Sequence, residues 1–416
     1  MNLNDFYQKR QELYLNVSPR SQNIVYALIA LGLLGLGYGF ATEPTRVWGA
    51  LLTSGFFAFS IAFGGAIFGQ MQDVVGAVWG RPIRRIHQAF SAFLLPVSIL
   101  LVVIMFAARF KILGAGEVYK WIADPAMIAH KDGKNFWLTP NFWLIRNVGW
   151  IVLINLVLNW FKKENFAADK DFLAGKLDQA AARAKLSSQR LRFWSGPLLF
   201  LVACGFTFLT FDLTMSLSPN WYSTLWGVWS FAVLMQSLLA SILIALFLLE
   251  KTPLSGYYRK GVGGQFHDVG KMMHGFTAFF GYTTYAHILT YWYANMPEET
   301  EYFIHRLHSP WVYIVIAVAI LCFVLPFFTL IPKPAKYTRS VTLPLCVLVL
   351  FGQWLNYNQI VMSEVITKDY GIPVAEFGAL FLVFGGFLFS FMARAKSTPM
   401  IPVTDPKLLD ALNSGH

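Results

Sequence analysis

The sequence predicts an all-α integral membrane protein of about ten transmembrane helices, with both termini in the cytoplasm. Three observations predict it. The chain has ten long apolar segments, its lysines and arginines are distributed unevenly between the two sides those segments define, and its composition is too apolar for water. Mean hydropathy is +0.51. Hydrophobic residues make up 56% of the 416, and charged residues only 13%, outside the usual range of soluble domains.

The apolar segments lie at 24–40, 47–71, 86–108, 142–161, 195–215, 222–249, 269–292, 311–331, 339–362 and 373–392. Most approach or exceed the ~20 residues that cross ~30 Å of hydrocarbon. Ten crossings bring both ends to one side. Counting Arg339 and Arg146, which lie toward the ends of their segments, with the adjoining loops, the tails and loops on that side hold 23 Lys and Arg and the opposite loops hold 9, with Lys271 inside a segment. Basic residues stay on the cytoplasmic side, so the terminus side is expected to face the cytoplasm. The net charge of +11 then points to anionic lipid headgroups, not nucleic acid.

This reading divides the chain into a polar tail (1–23), four spans (24–161), a cytoplasmic connector (162–194), six spans (195–393) and a second tail (394–416). The first tail lacks the charged, apolar and cleavage regions of a signal peptide, so the first span is expected to be retained. The connector mixes both charge signs with Ala and Leu at helical spacing and reads as a surface helix. It serves either as a solvated link or as a docking surface for another subunit. On the opposite side, residues 109–141 carry Tyr119, Trp121, Phe136 and Trp137 with Pro125 and Pro140. They suggest a headgroup anchor or a partner's seat. Gly64, Gly65, Gly281, Gly385 and Gly386 fall inside spans, where small residues let helices approach.

Cys204, Cys322 and Cys346 each lie in an apolar segment, without CxxC spacing or a CxxCH haem-attachment motif. Disulfides, an iron–sulfur cluster and covalent haem are therefore unsupported. Non-covalent haem would need paired histidines at one depth. His87, His274 and His287 show no such pairing.

Ionisable groups inside a span are costly and default to functional candidates. Asp212 lies near the outer end of the fifth span. In the seventh, Asp268, Lys271 and His274 are spaced by three and share one helical face. Tyr282 and Tyr285 continue that face, while His287 points away. A column of this kind is what a proton relay requires. At the cytoplasmic end, Asp73 closes the second span, and Arg81, Arg84, Arg85 and His87 follow. The arginines could equally snorkel to headgroups and pair with a nearby acid. Late in the ninth span, Gln353, Asn356, Gln359 and Glu364 suggest water, a quinone headgroup or an interhelical hydrogen-bond ladder.

Three blocks carry a likeness to known proteins: DLTMSLSPNWYSTLWG, DVGKMMHGFTAFFGYTTYAHILTYWYANMPEETEYF and EPTRVWGALLTSGFFAFSIAFGGAIFGQMQDVVGAVWGRPIRRI. The first two resemble the NrfD-like family of polysulfide reductase membrane subunits. Within it, they resemble the paired large membrane subunits of bacterial alternative complex III, a quinol:electron-acceptor oxidoreductase. The third block, and a C-terminal tail ending IPVTDPKLLDALNSGH, are similar to the second, ActF-like, subunit of that pair. The resemblance implies ten helices in the bacterial inner membrane, with spans two to five and six to nine as two four-helix bundles flanked by the first and last. It implies no redox cofactor in this chain, with a quinol bound nearby. Iron–sulfur clusters and haem c would sit in partner subunits: an iron–sulfur protein and a multihaem c-type cytochrome, beside a paralogous ten-helix quinol-binding subunit and smaller membrane subunits. Asp212 would be the family aspartate.

The expected function is therefore proton conduction or translocation coupled to quinol oxidation in partner subunits. The rivals are a quinol-binding subunit, a scaffold of the complex and a stand-alone secondary transporter. The topology is directly testable. A membrane-impermeant thiol reagent added from outside should miss Ser187→Cys and label Asp132→Cys; the reverse pattern would invert the depth of every candidate above.

Overall fold

The computed structural model describes residues 3–129, 133–252, 254, 263–366 and 370–413. Those residues form helices and no strands. Ten long helices follow in order: α1 (Pro19–Thr42), α2 (Pro44–Val74), α3 (Arg84–Arg109), α4 (Pro140–Asn165), α5 (Leu177–Leu213), α6 (Trp226–Leu249), α7 (Gly263–Ala294), α8 (Trp311–Thr329), α9 (Arg339–Val365) and α10 (Val374–Ser397).

Among the described residues, nine helices are long and apolar enough to cross a membrane. The expected tenth crossing, α7, has the length at 32 residues. Its threonines, tyrosines, glycines and histidines keep it less apolar than the others. Several helix starts follow from local chemistry. Pro19, Pro44 and Pro140 occupy first turns, where their fixed φ fits and a missing N–H costs nothing. Ser18 caps α1 by accepting from the Ser21 N–H at 3.2 Å.

Residues 177–194 do not form a separate surface helix. They continue without a break into the fifth span as one 37-residue helix. At 1.5 Å per residue α5 is about 56 Å long, so its first turns project beyond a bilayer on the terminus side. The remainder of the connector holds a short helix, Ala167–Leu173. Helix α8 is irregular for a definite reason. Pro326 has no N–H to give the Cys322 carbonyl four residues earlier, and the chain adopts a π turn at Ile320–Val324.

Two helices are central. Most of the apolar stretch of α2 and of α6 is buried inside the chain. Helix α2 packs against α3, α5, α9 and α10, and α6 packs against α5, α7, α9 and α2. Helices α4 and α8 complete the outside against their neighbours. Along α1 and α10 the contact is intimate, because Gly32 lies against the Leu382 backbone and Gly35 faces Gly378. On the terminus side the two tails join, with Leu15 N–H bonding the Ala395 carbonyl at 3.1 Å and Met400 N–H the Leu13 carbonyl at 2.8 Å.

The aromatic loop on the distal side is not a flat membrane anchor along its whole length. Tyr119 and Trp121 are fully buried and meet Trp143 edge-on at 5.1 and 5.6 Å, while Phe136 stays exposed. Asp132 lies outside the described residues, and Ser187 is buried against Glu164. Lys185 and Asn135, both exposed, are therefore the better cysteine positions for testing topology.

The close α1–α10 approach makes a stability prediction. A Cβ on Gly32 would stand 2.4 Å from the Leu382 backbone nitrogen, whereas one on Gly37 would meet nothing within 4 Å. Gly32→Ala should destabilise the chain by about 1–3 kcal/mol through overpacking. Gly37→Ala should leave the thermal midpoint in detergent unchanged or slightly higher.

Candidate functional site

Polar side chains inside the bundle gather at three depths. The terminus-side cluster is ionic. Asp73 ends α2 with only 4% of its surface exposed. Arg84, at the start of α3, clasps it with two bonds of 2.9 and 2.7 Å, and Arg81 adds a third contact of 2.7 Å. Arg84 also donates to the Asn165 side chain at 3.0 Å, tying in α4. Beside it, Arg85 donates to both oxygens of Asp169 at 2.9 and 2.7 Å. The C-terminal tail closes the cluster: Thr404 donates to Asp169 at 2.8 Å, and Asp405 lies 3.4 Å from Arg81. The arginines thus pair with acids inside the protein; they do not reach headgroups. His87 is fully buried next to them, with Nδ1 2.8 Å from the Gly65 carbonyl. Its Nε2 has no hydrogen-bond partner among the described residues.

The middle layer is neutral. Gln236 of α6 donates from Nε2 to Thr277 of α7 and to the Cys322 carbonyl of α8, both at 2.8 Å. Gln353 of α9 donates to Gln236 Oε1, and Asn356 donates to Gln353 Oε1 at 2.9 Å. Every side chain in this ladder is buried. The Cys322 carbonyl is the one Pro326 leaves without an N–H, so Gln236 satisfies an acceptor that would otherwise be stranded in hydrocarbon. Gln353 and Asn356 therefore form an interhelical ladder. Gln359 is half-buried and outside it, with an Oε1 that makes no bond within the described residues.

The distal layer is ionic again and has two centres. Asp212 is fully buried. Arg146 of α4 grips it through Nε at 3.0 Å and Nη2 at 2.8 and 2.7 Å. Trp137 Nε1 and Asn147 Nδ2 donate to the same carboxylate at 2.9 and 2.8 Å. The Arg146 guanidinium also lies 3.8 Å over the Trp137 ring, a cation–π contact. A cavity of about 320 Å³ opens beside this group, lined by Lys134, Trp137, Asp212 and Trp221 among others. The second centre is Glu364, at the end of α9. It accepts from Ser218 at 2.6 Å, Lys120 at 2.8 Å and Arg306 at 3.1 Å. It thus joins the 109–141 loop and the short α5–α6 connection to the short helix Pro297–Leu307. There the Arg306 guanidinium covers Tyr302 at 3.6 Å, and burial pushes the Tyr302 hydroxyl up to about 12.

The face of α7 expected to form a relay lies largely on the outside of the chain. Asp268 and Lys271 pair at 3.1 Å, and the lysine is well exposed. His274 is half-buried and stacked on Phe327 at 5.0 Å. Tyr282 and Tyr285 are 65% and 61% exposed. Within this chain, then, Asp268, Lys271, His274, Tyr282 and Tyr285 do not converge on the buried layers. Lys336 packs near Lys271, and burial together with that neighbouring charge holds its amine below the usual lysine range. Sequence reasoning missed Arg146, Gln236 and the Arg46–Glu376 pair, whose atoms meet at 2.9 Å across α2 and α10. Arg146 and Glu376 sit near predicted segment ends, where charge looks ordinary. A lone glutamine in the very apolar α6 was the available hint.

The Asp212–Arg146 pair makes a test of this bookkeeping. Arg146→Met strands a buried carboxylate and should cost about 3–5 kcal/mol, while Arg146→Met with Asp212→Leu should cost clearly less than the sum of the single changes. A double-mutant cycle by reversible denaturation in detergent checks it; additive losses would mean the two side chains are not coupled. In comparisons with known proteins, no family model matches the chain and no curated protein is similar to it.

Proposed function

We propose that this chain is a multi-pass membrane subunit of a quinol:electron-acceptor oxidoreductase of the NrfD-like, alternative complex III type. It would support proton conduction or translocation coupled to quinol oxidation in partner subunits. The supporting observation is the stacking of buried polar layers at three depths of an otherwise apolar bundle. A proton crossing such a bundle needs polar groups or bound water at intermediate depth, because an isolated charge there is too costly. The layers of Asp73, Arg84 and His87, of Gln236 and Gln353, and of Asp212 and Glu364 provide such groups. Amide side chains do not titrate, so the middle layer would orient water, and the carboxylates at either end would exchange protons with bulk.

In this reading both termini are cytoplasmic, as the basic asymmetry of the loops predicts. Helices α2–α5 and α6–α9 form two four-helix bundles, with α1 and α10 beside them. The partners are a paralogous ten-helix quinol-binding subunit, an iron–sulfur protein, a multihaem c-type cytochrome and smaller subunits in the bacterial inner membrane. The chain itself would carry no redox centre. A partner subunit would cover the exposed α7 face, so Tyr282 and Tyr285 would become part of an intersubunit path.

A second reading, quinol binding by this chain itself, is favoured by the distal cavity beside Asp212. Its aromatic walls and single buried carboxylate suit a ring bearing two hydroxyls.

Both readings are tested in the intact complex reconstituted into vesicles. Asp212→Asn should lower proton release per quinol oxidised while assembly and iron–sulfur content stay normal. His274→Ala should do the same if α7 lies on an intersubunit path. Loss of quinol turnover with a weakened response to a quinone-site inhibitor would instead mark the cavity as a quinol site. Normal turnover and proton stoichiometry in both variants would leave only a scaffold.

A further inference from the structure

The outer surface between α4 and α5 has a groove that neither functional reading uses. It encloses about 440 Å³ and is lined by Val157, Trp160 and Phe161 from α4 and by Trp194, Pro197 and Leu201 from α5. Its walls are apolar, and Trp160 and Trp194 are 38% and 50% exposed. Neither indole N–H makes a hydrogen bond within the described residues. Both tryptophans stand where α4 and α5 pass from apolar to charged sequence, the depth at which indoles sit with the ring in the acyl region and the N–H among headgroups.

One helical turn toward the terminus side, the groove meets charge. Lys163 is exposed and, like Lys162, has no acidic partner among the described residues. Arg190, one turn before Trp194, is 63% exposed and makes only a long 3.5 Å contact with Glu164. Glu164 is shared with the Ser187 hydroxyl at 2.9 Å. The opening is thus apolar below, lined by indole donors at its waist and net positive above. This sequence of chemistries matches an anionic phospholipid, with one acyl chain along Val157 and Leu201 and the phosphate between Lys163 and Arg190. A zwitterionic lipid would bring its own cation against the same lysine and arginine.

We infer that the α4–α5 groove is a binding site for an anionic phospholipid, which seats the projecting end of α5 on the membrane surface. The inference requires only that α4 and α5 lie in a bilayer, so it stands or falls separately from the quinol reading.

The test uses the full chain in nanodiscs, titrated with phosphatidylglycerol or phosphatidylcholine carrying the same dibrominated acyl chains. Tryptophan quenching by the phosphatidylglycerol should saturate at a lower mole fraction, and the saturable part should vanish in Trp160→Phe/Trp194→Phe. Lys163→Gln and Arg190→Gln should each reduce the preference for phosphatidylglycerol by roughly five-fold, as expected for one basic residue near an anionic surface. Val157→Phe, which fills the groove, should abolish the saturable component for both lipids. Equal quenching by the two lipids in the unmodified chain would overturn the inference. So would an undiminished preference in both charge variants, which remain informative even if the filled variant fails to fold.

Discussion

A polar group placed in hydrocarbon has no water to fall back on, so its partner must come from the chain itself. That constraint explains the interior of this protein. Each of these buried carboxylates lies against a guanidinium or an amine: Asp73 against Arg84 and Arg81, Asp169 against Arg85, Asp212 against Arg146, Glu364 against Arg306 and Lys120, and Glu376 against Arg46. Apart from Asp73, whose arginines follow it closely in the chain, these pairs join residues 58 to 330 positions apart. A buried pair is not by itself a source of net stability, because desolvation offsets most of the attraction, but losing one member is severe. The pairs therefore specify which helices meet more than they add to the total.

The same constraint explains the irregular α8. A proline in a membrane helix strands a carbonyl, and the stranded group needs a donor from a neighbour. Gln236 is that donor, which gives a glutamine in the middle of an apolar helix a structural reason to be there. The ladder through Thr277, Gln353 and Asn356 then follows from the remaining hydrogen-bonding capacity of two amides. Close packing does the rest: glycines at Gly32, Gly35 and Gly378 bring α1 and α10 nearly backbone to backbone, where dispersion contacts replace the missing hydrophobic drive between membrane helices.

These arrangements bear on function in opposite ways. Asp212 is held by a bidentate arginine, an indole and an amide, so loss of Arg146 would strand a buried carboxylate. The arginine side chain keeps 16% exposure against 1% for its partner, while Asp212 is the member that lines the cavity. Beside the terminus-side ion cluster, His87 Nε2 has no hydrogen-bond partner among the described residues. Tyr282 and Tyr285 face outward, which removes them from any path internal to this chain and places them where a neighbouring helix could meet them.

The sequence by itself determined the class of this protein, an all-helical chain of long apolar helices, because long apolar runs are a local property that burial in lipid reads directly. It also brought Asp73 and the arginines that follow it close together in the chain, and Gln353 and Asn356 one turn apart. Tertiary structure alone decided the partners. Arg146 with Asp212 and Gln236 with Gln353 lie 66 and 117 residues apart, and no periodicity links them. It also decided which face of α7 is buried. Helical spacing puts Lys271, Tyr282 and Tyr285 on one side, but whether that side meets the core or the surroundings depends on where α6 and α8 pack. That contact is set by the shape of whole helices and not by the sequence of any one of them.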